Sequence, residues 1–122
     1  MVRKIALEEH FIDPATFDYW RPTMSEVPAP FVEKLIAALS DFGEQRLKLM
    51  DECGLAHCVL AASGPGVQAE RDTATAIRNA RASNDFLGKE VTKRPDRYSG
   101  FAHLPMQDAK AAADELERCM RD

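Results

Sequence analysis

The stretch Gly54-Leu55-Ala56-His57-Cys58-Val59-Leu60-Ala61-Ala62-Ser63-Gly64-Pro65-Gly66 decides how the rest of the chain is read. Ala56 to Ala62 is an apolar run of strand length, without the strict alternation of a half-exposed strand. Such runs suit parallel strands covered by helices on both faces. Gly54 stands where a preceding helix would take a left-handed cap. Ser63-Gly64-Pro65-Gly66 then breaks the run into a loop.

Upstream, Asp41 followed three residues later by Glu44 has the spacing of a capping box, which predicts a helix running to Cys53. Phe31 to Leu39 has helical spacing through Phe31, Leu35, Ala38 and Leu39. From Ile12 to Pro30 the prolines 14, 22, 28 and 30 predict a long loop, which carries Phe17, Tyr19 and Trp20. Lys4 to Phe11 reads as a strand whose apolar run Ile5-Ala6-Leu7 ends in Glu8-Glu9-His10. Downstream, Asp72 opens a long helix with Ala76, Ile77, Ala80, Leu87 and Val91 on its apolar positions, and Pro95 ends it. Tyr98 to Leu104 is a third strand, closed by Pro105, and Asp108 caps a last helix through Leu116 and Met120. Strands alternating with helices predict βαβ units, an α/β fold and a parallel sheet.

Composition bounds the function. With 45% hydrophobic and 30% charged residues the chain reads as a soluble globular domain or a part of one. At 122 residues it can bury a core, yet it is half the ~250 residues of a (β/α)₈ barrel. Its net charge of −4, with basic residues scattered, argues against nucleic-acid binding. No apolar stretch approaches the ~20 residues of a membrane span, and the first residues lack the apolar segment of a signal peptide. Three cysteines, an odd count, suggest reduced thiols and a cytoplasmic location.

Glu8 and His10 are the residues with chemistry to offer. Two apart on a strand, they share a face, separated by roughly 6.6 Å of rise. A carboxylate with a neutral imidazole suits zinc, or manganese when more oxygen ligands join. Carboxyl ends of parallel strands are where ligands gather in α/β folds. The competing reading is a solvated charged edge before a turn, and two ligands do not make a site. Cys53, His57 and Cys58 fit no standard zinc spacing, and buried thiols explain them better. His103 reads as a hydrogen-bonded core or edge histidine, with a role facing a site as the alternative. Ser63-Gly64-Pro65-Gly66 lacks both phosphate-loop patterns and is a βα turn or the wall of a site. Tyr19 and Trp20 suit either an aromatic pocket or packing.

Lys4-Ile5-Ala6-Leu7-Glu8-Glu9-His10-Phe11 resembles the opening strand of the nonoxidative aromatic decarboxylases of the amidohydrolase superfamily, most closely the γ-resorcylate (2,6-dihydroxybenzoate) decarboxylases. The resemblance continues through Arg46 to Asp51, Gly64 to Gln68, Asn84-Asp85, Arg94 to Arg97, Phe101-Ala102 and Glu115 to Cys119, and so covers nearly the whole chain. It implies that residues 1–122 are the N-terminal portion, about three βα units, of a single metal-dependent (β/α)₈ TIM barrel domain that is incomplete by itself. It also implies one divalent metal, Zn²⁺ or Mn²⁺, with Glu8 and His10 as first-strand ligands and Glu8 the more constant of the two. Ser63 matches a substrate-contacting position, and Trp20 is assigned to the same pocket. The family's remaining ligands and its proton-donating aspartate have no counterpart in this sequence.

The implied reaction is loss of CO₂ from an ortho-hydroxybenzoate, a small aromatic carboxylate, giving the phenol. Metal binding by an ionised Glu8 and a neutral His10 would fail in acid. The alternatives are a metal-dependent hydrolase of the same superfamily, or a non-catalytic fragment or assembly subunit. The uncovered edges of three βα units suggest a homo-oligomer, or completion by further polypeptide.

Overall fold

Three parallel strands lie side by side in chain order, β1 (Lys4–Phe11), β2 (Leu55–Ala62) and β3 (Tyr98–Gly100). They belong to a computed structural model that describes residues 3–121. Between β1 and β2 come α1 (Phe17–Trp20), α2 (Ala29–Ser40) and α3 (Glu44–Glu52). α4 (Thr73–Lys93) links β2 to β3, and α5 (Ala109–Arg121) follows. The α/β reading and the parallel sheet hold.

The core lies on the helical side of the sheet. Cys58 and Leu60 of β2 project into it beside Phe11 and Tyr98, and Phe42, Met50 and Leu87 close it. Tyr98 meets Phe42 edge-on, at 6.3 Å between ring centres, and its hydroxyl donates to the Phe42 carbonyl at 3.0 Å. The hydroxyl is thus satisfied inside an apolar cluster, where an unpaired one would cost about 1–3 kcal/mol. Burial, the largest influence on it, pushes the Tyr98 phenol above its ordinary range.

Several expectations need correction. The segment from Ile12 to Pro30 is not loop throughout, since α1 and a 3₁₀ turn at Arg21–Met24 fall within it. Pro22 fits there because first-turn residues have no intrahelical use for an N–H. Gly43, not Asp41, is the N-cap of α3, although the Asp41 carboxylate accepts the Gly43 and Arg46 amides at 3.1 and 2.6 Å. Asp72 does cap α4, accepting the Thr75 amide at 2.8 Å.

β3 stops at Gly100 instead of reaching Leu104. The ladder with β2 ends at Leu60 opposite Gly100, with a last bond from the Phe101 amide to the Leu60 carbonyl at 2.9 Å. Past that point the side chain of Asn84 takes over, accepting from the His103 amide at 2.7 Å and donating to its carbonyl at 2.9 Å. Among the thiols only Cys58 is buried, and Cys53 is exposed at the end of α3.

β2 is also not covered on both faces. Cys58 and Leu60 are buried, whereas His57, Val59 and Ala61 on the other face are half-exposed. The accessible surface is 7854 Å², against about 6,600 Å² for a compact monomer of this mass. Among the described residues, no helix is long and apolar enough to cross a membrane.

Candidate active site

The end of β1 is shaped by a bulge. Ala6 pairs with Cys58 and Glu9 with Leu60, so Leu7 and Glu8 together stand opposite the single residue Val59. Ala6 and Phe11 are five apart and by strict alternation would lie on opposite faces, yet both pack on the core. The extra residue restores their common side. Bulges of this kind are frequent at barrel rims and beside active sites, where they re-aim a side chain. His10 pairs with Ala61, one step before Phe11 opposite Ala62. With Glu8 opposite Val59, both candidate ligands therefore lie on the face turned away from the helices.

Both side chains are exposed, and neither has a hydrogen bond or ion pair among the described residues. One carboxylate and one imidazole with uncommitted donor atoms fit a divalent metal such as zinc or manganese. They supply only part of its shell: among the described residues no three His, Cys, Asp or Glu side chains gather closely enough to hold an ion.

The main chain beneath them is fixed by Arg46, whose role sequence reasoning missed. Its guanidinium donates to the carbonyls of His10 at 2.8 Å, Asp41 at 2.7 Å and Ala38 at 3.2 Å. One side chain thus ties the end of β1 to the α2–α3 turn. The single available signal was the run Arg46 to Asp51 within the family resemblance.

Ser63 comes to the same end of the sheet. Its amide donates to the Phe11 carbonyl at 2.8 Å, which sets the β2 exit directly beside the β1 exit that carries His10. Trp20 does not join them at the surface. It is 3% exposed and stacks on Phe17, with ring centres 6.1 Å apart. His57 lies near the opposite end of β2 from Ser63, bonded to the Ser99 hydroxyl at 3.0 Å and to the Asp96 carbonyl at 3.1 Å.

Asp13, also missed, organises the β1 exit. At 3% exposure its carboxylate accepts the Ala15 amide at 2.8 Å, the Thr16 hydroxyl at 2.6 Å and, from α4, the Ser83 hydroxyl at 2.8 Å. Buried acceptors need such partners. Ser83 is 70 residues away, so spacing offered no hint. Tyr19, in α1, donates to Glu70 at 2.7 Å and accepts from Asn79 at 2.8 Å. That hydrogen bond from Tyr19 is the first cause holding the Glu70 carboxyl below its usual range.

Residues 27–122 match the family model described as Amidohydrolase. The chain belongs to the amidohydrolase family. Its similarity extends to γ-resorcylate decarboxylase of Rhodococcus jostii (strain RHA1), with 46% identity over 122 residues, all of this chain and 36% of that protein. A dihydroxybenzoic acid decarboxylase from Polaromonas sp. JS666, solved with bound manganese and the inhibitor 2-nitroresorcinol, superposes with a TM-score of 0.91 at 43% identity. That match covers 100% of this chain and 36% of the Polaromonas one.

A 2,6-dihydroxybenzoate decarboxylase complexed with 2,6-dihydroxybenzoate gives the same TM-score of 0.91 at 43% identity, covering 100% of this chain and 37% of its own. This amidohydrolase chain thus spans about 36% of the length of the curated relatives it matches. Its three strands and their helices correspond to the N-terminal part of the decarboxylase barrels.

Proposed function

We propose that this protein removes CO₂ from an ortho-hydroxybenzoate resembling 2,6-dihydroxybenzoate, without oxidation, and that this chain supplies the first part of its active site. One observation carries the reading. Glu8 and His10 stand uncommitted on the open face, at the carboxyl end of β1, in a chain 46% identical along its whole length to a γ-resorcylate decarboxylase. A divalent metal, manganese or zinc, would supply Lewis acidity and a template for the substrate's carboxylate and neighbouring phenolate.

The chain's own residues divide the work. Glu8 and His10 would hold the ion, and they transfer no proton. Arg46 keeps the His10 main chain in place. Ser63, at the adjacent strand exit, contacts the substrate, whereas Trp20 is buried against Phe17. The proton-donating aspartate that the family resemblance implies has no counterpart in this chain. With only two ligands the 122-residue chain alone is expected to be inactive. Its open sheet face is completed by further polypeptide or by assembly into a homo-oligomer, and the protein works in the cytoplasm.

The test is to supply the intact, metal-loaded protein with 2,6-dihydroxybenzoate and, separately, with lactones and amides. Release of CO₂ and resorcinol from the first is the expected result. Hydrolysis of the second group without CO₂ release would replace this reading with a metal-dependent hydrolase.

A further inference from the structure

His103 lies beyond the end of β3, its imidazole turned to the loop after β2. Its Nε2 accepts the Val67 amide at 2.9 Å. The ring comes so close to Gly66 that a Cβ there would collide with His103 Nε2, and Gly66 has φ +55°, a conformation that favours glycine. Two independent constraints thus select the same residue in the loop after β2. Asn84 holds the His103 main chain by both its N–H and its C=O, and Glu115 in turn accepts from the Asn84 side-chain Nδ2 at 2.8 Å. A second stitch runs from the Gln68 side chain to the Leu104 carbonyl at 2.7 Å. The loop that begins at Ser63 is therefore pinned at its start by the Phe11 carbonyl and at Val67 by the imidazole.

We propose that His103 is a positioning residue: by accepting the Val67 amide it fixes the 63–67 turn and with it the placement of Ser63. An imidazole accepts through Nε2 only when that nitrogen carries no proton, so the latch holds with the ring neutral and the proton on Nδ1. Burial keeps the ring below the ordinary histidine range, which sustains the neutral form. Of the charged groups nearby, Asp13 favours the protonated ring, whereas Glu115 bonds Asn84, which holds the His103 main chain and not the imidazole. The latch itself is independent of the decarboxylase reading; its consequence for substrate, through Ser63, rests on that reading.

The experiment is amide exchange of residues 63–68 in the intact protein, corrected for intrinsic rates and followed from pH 7.5 to 5. In the unsubstituted protein, protection of the Val67 amide should fall as the pH drops. His103→Leu, which has no acceptor, should lose about fivefold of that protection already at neutral pH. His103→Gln, which keeps an acceptor that does not titrate, should retain it and show no such decline.

Equal protection in all three proteins, or a decline in His103→Gln matching that of the parent, would overturn the latch. Should His103→Leu fail to fold, the parent's pH dependence and its absence in His103→Gln decide alone. Turnover of 2,6-dihydroxybenzoate is read in parallel, and a raised KM in His103→Leu restored by His103→Gln is expected. Absence of turnover in the unsubstituted protein would count against the decarboxylase reading and leave the exchange result standing.

Discussion

The two faces of one sheet differ in kind. On the helical face Phe11, Cys58, Leu60 and Tyr98 are all within 1% of complete burial. On the other, Ile5 is 59% and Leu7 62% exposed, and Glu8 and His10 stand among them. Both faces belong to the same three strands, so backbone pairing does not distinguish them. What differs is the layer opposite: helices cover one side, and no layer among the described residues covers the other. The packed face contributes stability and keeps the strand ends in register. The open face holds the polar groups with chemistry to perform, on a backbone that they do not themselves stabilise.

This contrast is broken or sharpened most by deleting one side chain from each face. Leu60→Ala removes a fully buried side chain and should cost about 2–5 kcal/mol in urea unfolding of the chain. Leu7→Ala on the open face should change the same measurement by no more than about 0.5 kcal/mol. Equal costs for the two would mean that the faces are not distinct. In the intact protein, where further polypeptide is proposed to cover that face, the cost of Leu7→Ala should rise towards that of Leu60→Ala.

Next in size is Asp13→Ala at the β1 exit. It strands the Thr16 and Ser83 hydroxyls and should destabilise the chain by about 1–3 kcal/mol. An unchanged unfolding midpoint would show that the exit is not held by this hub.

Acid should act more gently and in a set order. The His103 imidazole is held below its ordinary value of 6.5 by burial. Between that lowered value and 6.5 the unfolded chain binds the additional proton, so stability is full above pH 6.5 and declines as the pH falls below it. Glu115 is held below its ordinary 4.5, first by its hydrogen bond with Arg118. Its contribution is present above pH 4.5 and disappears only at lower pH. A stability profile flat from pH 7 to 5 would contradict the first step, and His103→Gln should flatten that step alone.

Much of this was legible in the chain itself. An apolar run between Gly54 and Gly64-Pro65 located β2, and one that ends in Glu8-Glu9-His10 located β1. Asp72 and Asp108 marked helix starts because a carboxylate ahead of orphan amides serves no other local purpose as well. The extent of β3 was not legible, since its ladder ends where Asn84, distant in sequence, substitutes for a neighbouring strand. The β1 bulge was equally hidden. It depends on which β2 residue faces which β1 residue, not on the composition of either.

Glu8 and His10 stood out because polar residues ended an apolar strand. Arg46 and Asp13 did not, because the partners that give them their roles, His10 and Ser83, lie 36 and 70 residues away. His103 was legible as a hydrogen-bonded histidine, but its partner Val67, 36 residues away, was not. Trp20 was read from residue type alone, and its burial against Phe17 is a tertiary fact.

The most direct test of the account is the metal content of the intact protein and of its Glu8→Ala variant, measured by elemental analysis alongside CO₂ release. Because Glu8 is exposed and without a partner among the described residues, the variant should fold as the parent does. It should lose its divalent metal and, with it, more activity than the roughly 10–100-fold that follows loss of an outer-sphere partner. Full metal content and full turnover in Glu8→Ala would contradict the assignment of β1 as the first wall of the metal site.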